Sequence, residues 1–290
     1  MRRFLVAALM AVSTPALADA PVAPAKPLMK QDSLNVYRRF PAEAREAMVR
    51  FYRDGLGLTP APSISPTPGL QVLIFRIGSG QVKLAPGLKP GRAYHPGAPK
   101  AATGIRLYGF TYGDETALVA RLAAIGVAAP RFAPRGDGSR AALVTDPAGF
   151  PAELIVRAGA GDPSPGVEVG IAVSDLARSR AFYEGFAGLD PLPPAPDRVI
   201  GVTRTRFRHG ETTVSLWPVA RGVPHDTGSA GIQYVTGNVE AVAALAAERK
   251  VTVEEPLGGL PGFPLKTIWL NDPDGATNYF YQLLPAPPAK

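Results

Sequence analysis

Hydrophobic and polar positions alternate, then switch to helical spacing, four times along this chain. The clearest instance is Val167–Leu189. Val167, Val169, Ile171 and Val173 repeat at period two, the pattern of a half-buried strand. Ser174 and Asp175 then offer oxygens to the free N–H groups of a helix start. Leu176, Phe182, Tyr183 and Phe186 fall on one helical face, and Gly188 suits the left-handed residue that closes a helix. A weaker copy comes earlier. It has a strand over Ser33–Arg39, a helix over Pro41–Asp54 and a hairpin of Leu70–Ile77 with Gln81–Ala85. The four prolines of Pro60–Gly69 predict a loop or irregular edge between them.

A second unit follows the long polar connection Pro86–Thr103. It has a strand at Gly104–Tyr112, a helix at Glu115–Ile125, and strands at Ala128–Ala133, Ala141–Thr145 and Ala152–Val156. Val167–Leu189 opens the third unit, whose hairpin is Val199–Arg208 with Thr212–Trp217. The fourth has a strand at Gly231–Val235, a helix at Val239–Arg249, and strands near Thr252–Glu255, Lys266–Leu270 and Thr277–Leu283. The halves repeat. Phe51-Tyr52 matches Phe182-Tyr183 at an offset of 131, Gly104-Ile105 matches Gly231-Ile232 at 127, and the turns Asp146-Pro147-Ala148-Gly149 and Asp272-Pro273-Asp274-Gly275 lie 126 apart. Offsets that drift by a few residues, absorbed in loops, fit a tandem duplication.

The resulting organisation is a signal peptide at 1–18, a flexible leader at 19–32, a first domain at 33–157, a linker at 158–166, a second domain at 167–284 and a tail at 285–290. The signal peptide rests on Met1-Arg2-Arg3, the short apolar run Phe4–Val12 and the small-x-small site Ala16-Leu17-Ala18. It implies a periplasmic or secreted protein. Beyond it no run of about 18 apolar residues occurs, so no membrane insertion is expected. Cysteine is absent, which excludes disulfides, thiolate metal sites and cysteine nucleophiles. Without residues 1–18 the chain keeps 29 basic and 24 acidic residues, a net charge of +5. These charges are scattered, so no nucleic-acid partner is expected. The run Gly258–Pro264 lacks the Lys-Ser/Thr ending of a phosphate loop and is not read as one.

Val173-Ser174-Asp175-Leu176, Phe182-Tyr183 and the late Asp-Pro-Asp-Gly turn together resemble the vicinal oxygen chelate superfamily, which includes glyoxalase I, bleomycin- and fosfomycin-resistance proteins and extradiol dioxygenases. The resemblance spans nearly the whole chain beyond its leader. It implies an α+β fold of four β-α-β-β-β modules paired into two glyoxalase-like curved-sheet domains. Pairing within each half, or by exchange between halves or chains, is left open, as is a homodimer. It further implies a divalent metal held by inward residues of the first and last strands of each module. At those positions the first half has Tyr37, Lys83, Arg106 or Leu107, and Glu153. The second half has Glu168, Ser215, Gly231 and Tyr279. Glu153 alone keeps the usual ligand type, so no cofactor is predicted, with a divalent metal in the first domain as the alternative.

Two readings follow. The first is an exported protein that binds a small organic molecule, its metal site largely lost, with a pocket drawn from Tyr37, Lys83, Arg106, Glu168, Ser215, Gln233 and Tyr279. The second is a lyase, isomerase or dioxygenase acting on a small oxygenated substrate through Glu153, assisted by His95. His95 and His225 fall in the long loops between modules, His209 is expected to be solvated in its hairpin turn, and Trp269 is expected to pack in a core, with lining of a ligand cavity as the alternative.

Overall fold

The computed structural model describes residues 24–285; the signal peptide, the first part of the leader and the tail beyond residue 285 lie outside them. The first module comprises β1 (Asn35–Phe40), helix α1 (Arg45–Arg50) widening into a π turn over Phe51–Gly55, β2 (Thr59–Thr67), β3 (Leu70–Ile77) and β4 (Gly80–Pro86). The second comprises β5 (Gly104–Tyr112), α2 (Glu115–Ala124), the two-residue β6 (Ala133–Pro134), β7 (Arg140–Thr145) and β8 (Pro151–Val156). The third has β9 (Glu168–Val173), α3 (Leu176–Arg180) with a π turn over Ala181–Phe186, β10 (Asp190–Asp197), β11 (Val202–His209) and β12 (Thr212–Pro218). The fourth has β13 (Ala230–Val235), α4 (Val239–Glu248), β14 (Val253–Gly259), β15 (Leu265–Asn271) and β16 (Thr277–Leu283).

Helix ends follow the sequence logic. Asp175 accepts hydrogen bonds from the backbone N–H groups of Ala177 and Arg178, and Asn238 and Asp114 cap α4 and α2 in the same way. Gly57 and Gly188 both take φ of +72°, which lets the chain leave the π turn at the same point in each half.

Two eight-stranded sheets result, and they are woven across the halves. One runs β14-β15-β16-β13-β1-β4-β3-β2 and joins the fourth module to the first. The other runs β10-β11-β12-β9-β5-β8-β7-β6 and joins the third to the second. The central seams are antiparallel: Tyr37 sits opposite Gly231, and Gly109 opposite Glu168. Each cup therefore takes one module from 33–157 and one from 167–284, which resolves the pairing that the sequence left open. Bulges in the outer strand pairs, between Ala61 and Ile64 and between Leu192 and Ala195, add to the curl of both sheets.

The shared motifs stitch modules within each half. The Tyr52 hydroxyl donates to Asp146 at 3.3 Å, and that of Tyr183 to Asp272 at 2.9 Å. Each turn aspartate also accepts from backbone N–H groups of its own turn. The Phe-Tyr and Asp-Pro-x-Gly signatures are thus two ends of one buried contact. Arg38 reaches the same Asp146 at 3.2 Å, and Arg106 pairs with Asp226 at 3.0 Å, both fully buried. One hydrophobic cluster runs through both sheets and the helices, from Val36, Leu84 and Ile232 to Val169, Leu216 and Phe280.

Three expectations are corrected here. The proline-rich Pro60–Gly69 is not a loop, since β2 covers Thr59–Thr67, and β10 is a similar strand (DPLPPAPD) that the pattern did not suggest. Both are sheet edges, where a missing N–H costs no ladder bond. The strand expected at Ala128–Ala133 shrinks to Ala133–Pro134. His209 is buried, not solvated. Residues 24–34 fold back over the molecule, the carbonyl of Gln31 lies 2.6 Å from His209 Nε2, and Ala25 N–H donates to Phe186.

Candidate functional site

Side chains alternate along each strand, so one set of residues lines the inside of each cup. The cup of modules two and three is filled. Leu107, Ala172, Ile200 and Trp217 form an apolar cluster in it, and a Cβ on Gly170 would come within 2.7 Å of both Leu107 and Trp217. Beside this cluster lies a charge network. Arg204 Nη2 donates to both Glu153 oxygens at 2.8 Å and also pairs with Asp197. Arg135 Nη1 donates to Glu168 at 3.0 Å, and its Nε lies 3.4 Å from Glu153. Three carboxylates share two guanidiniums. Burial pushes Glu153 up to about 7, because the arginines that would hold it ionised are also claimed by its neighbours. Burial works against Glu168 as well, but the charge and hydrogen bonds of Arg135 outweigh it and hold that carboxyl low.

The sequence-derived candidates separate accordingly. Glu153, Glu168 and Ser215 belong to this filled cup, with Glu153 fully buried. Arg106 does not enter it. A register shift between Ile105 and Leu107 turns Leu107 inward, while Arg106 donates to Asp226 and to the carbonyls of His95, Gly97 and Ala98. His95 is exposed and is not brought to Glu153. His225 is also exposed, its Nδ1 2.7 Å from Thr103 Oγ1.

The cup of modules one and four is open, and holds a cavity of about 350 Å³. Tyr37, Lys83, Gln233 and Tyr279, four of the predicted pocket residues, all line it. Tyr281, Trp269 and Phe263 extend the aromatic wall, while Ile64, Leu70 and Val72 form an apolar one. Trp269 is therefore a wall residue and not a core one; it packs edge-on to Tyr279 at 4.9 Å between ring centres. Lys89, from the strap after β4, lies 4.4 Å above the Trp269 ring and donates to Glu254 at 2.9 Å. The sequence offered Trp269 as a cavity wall or a core residue, and pointed to neither Tyr281 nor Lys89. The usable signal was their register: Thr267 and Trp269 share a face, as do Thr277, Tyr279 and Tyr281. A second cleft of about 310 Å³, bounded by α3 and the residues after α4, lies away from both cups and contains none of the candidate residues.

The model of the glyoxalase/bleomycin resistance protein/dioxygenase superfamily matches residues 41–154 and again 167–280. The chain belongs to that superfamily. No curated protein sequence matches it. Among solved structures it is similar to glyoxalase I from Zea mays, at 20% identity and a TM-score of 0.63, over 86% of this chain and 92% of that one. A point variant of the same maize enzyme gives 21% identity and a TM-score of 0.66 over the same shares. A dioxygenase-like protein from Bacillus subtilis gives 16% and 0.63, over 89% of this chain and 87% of that one. At these identities the likeness concerns the fold.

Members of the superfamily are expected to carry a metal in the cup, and neither cup here offers suitable donors. In the open cup the four positions are Tyr37, Lys83, Gly231 and Tyr279. An ammonium group replaces one donor, and at Gly231 a Cβ would come within 2.2 Å of the Tyr37 ring, so that ring fills the space a ligating side chain would need. In the filled cup Glu153 keeps the usual carboxylate and Glu168 adds another, but guanidinium groups already pair with both. Among the described residues no group of three or more His, Cys, Asp or Glu side chains is placed to hold a metal ion. The contact at Gly231 sets a first prediction. Gly231→Ala is expected to displace Tyr37 and cost about 1–3 kcal/mol of stability, as overpacking does, measured by urea unfolding.

Proposed function

We propose that this protein binds a small organic molecule in the cup built from its first and fourth modules, and that its second cup serves as a scaffold. The observation that carries this reading is the contrast between the cups. One presents an aromatic and apolar cavity with a few polar groups, the usual make-up of a ligand site. The other spends its inward positions on Trp217, Leu107 and an internal charge network. Chemistry through Glu153 would need a substrate to reach a fully buried carboxylate that two arginines grip, which favours binding over the glyoxalase-like lyase, isomerase or dioxygenase reading. The basic start and short apolar run of residues 1–12 support export, with cleavage after Ala18.

Fluorescence of Trp269 and Trp217 gives a direct test. Small aromatic compounds are expected to quench or shift the emission of wild-type protein, and Trp269→Phe is expected to remove most of that response. Metal analysis of the purified protein is the counter-test. A stoichiometric transition metal lost on Glu153→Gln would overturn the reading in favour of the enzyme. Amino-terminal sequencing of exported protein, expected to start at Asp19, tests the leader.

A further inference from the structure

We propose that the molecule bound in the open cup carries an acidic group, a carboxylate or phenolate on an apolar ring system, and that Lys83 receives it. This rests on the reading of that cup as a binding site, and it names the ligand's chemistry.

Among the described residues five cationic side chains are buried: Arg38, Lys83, Arg106, Arg135 and Arg204. Four of them are matched. Arg38 holds Asp146, Arg106 holds Asp226, and Arg135 and Arg204 share Glu153, Glu168 and Asp197. Lys83 is the exception. It is 9% exposed on β4, and its Nζ has neither a carboxylate nor a hydrogen-bond partner among the described residues. Its Nζ lies 5.3 Å from the centre of the Tyr281 ring. A buried charge is ordinarily paired, and the one thing Lys83 borders that the chain does not fill is the cavity.

The surroundings fit an anion on a flat apolar body. From β1, Tyr37 and Arg39 face the cavity; from β16, Tyr279 and Tyr281; from the rim, Glu255 with Lys89. Lys89 is already paired with Glu254 and Glu255, while Arg39, with one nitrogen on the carbonyl of Gly87, adds a second positive group that favours an anion in the cavity. Tyr281 Oη accepts from Asn35 Nδ2 at 3.1 Å, which leaves its own proton to donate to an acceptor beside Lys83. Burial pushes the three tyrosines Tyr37, Tyr279 and Tyr281 upward, Tyr281 to about 12, so they stay protonated donors through neutral and mildly basic pH. Burial also brings Lys83 down to about 8. An acid in the cavity would draw its proton back, so binding should be coupled to protonation.

The experiment is calorimetric titration of the protein with two matched pairs, benzoate against benzamide and 2-naphthoate against 2-naphthamide. At pH 7 at least one acid is expected to bind tenfold or more tightly than its amide. That preference should shrink as the pH rises from 7.5 to 10, and Lys83→Met and Lys83→Gln should each abolish it while still binding the amide. Equal binding of acid and amide by the wild type, or a preference unchanged in both variants, overturns the role of Lys83 but leaves the cup as a site. No binding of any of the four probes overturns both the role and the reading beneath it.

Discussion

Arg204→Met should be the most destabilising single substitution in the filled cup, at about 3–5 kcal/mol, the range for removing one partner of a buried ion pair. Arg204 is 1% exposed and serves Glu153 and Asp197 at once. Its removal leaves Arg135 as the sole buried guanidinium beside three carboxylates. Urea unfolding followed by far-UV circular dichroism measures the loss. The pH dependence carries a sign. Burial raises Glu153 above its ordinary value to about 7, so its contribution to stability is full below the ordinary carboxylate range and is lost as pH rises through about 7. The deficit of Arg204→Met should therefore be smaller at pH 5.5 than at pH 8. Combining it with Glu153→Leu should recover part of the loss at pH 8, because the charge left uncompensated is then gone. A deficit below about 1 kcal/mol at pH 8 would mean that Arg204 does not hold these carboxylates as described.

Lys83→Met should do the opposite and stabilise the ligand-free protein. Burial lowers the Lys83 ammonium from 10.5 to about 8 with no charged partner to offset it. A shift of that size corresponds to about 3 kcal/mol. A depressed folded value means that the stability held above pH 10.5 is lost as pH falls through 8, so at pH 7 the whole cost is present. Methionine keeps the length of the side chain without the charge. Its advantage over wild type should be about 2–3 kcal/mol at pH 7 and should fade toward pH 10. A residue that weakens its own fold yet lines a cavity is what selection for binding produces. Chemical denaturation of the two proteins at pH 7, 8.5 and 10 decides the matter, and equal stability at all three would remove the argument.

Much of the fold was legible because the modules announce themselves through caps, Phe-Tyr pairs and turn aspartates. The structure explains why those signals are strong: Tyr52 with Asp146 and Tyr183 with Asp272 are buried contacts that tie consecutive modules together. Edge strands were less visible. Proline marks β2 and β10 as breaks in the pattern, although an edge needs no donor on its outer side. The site divided in the same way. Tyr37, Lys83 and Tyr279 came from the positions that the family resemblance implies, Gln233 from its place among candidate cavity residues, and all four line one cavity. Arg106 was misplaced because a single register shift at Leu107 exchanges the two faces, and a slip of one residue leaves no trace in composition. His209 was misplaced because its cover, the carbonyl of Gln31, comes from 178 positions away in the chain.

The cross-half weave also bears on synthesis. The filled cup is a continuous stretch, β5 through β12, nested inside the open one like a pair of inner brackets. As the chain is made from its amino terminus, that inner sheet can close as soon as the third module is complete. The first module, synthesised earliest, has its seam edge on β1 unpaired until β13 is made near the carboxyl terminus. The filled cup can thus close before the open one, and a chain that stops short of the fourth module would carry one finished cup beside half of the other.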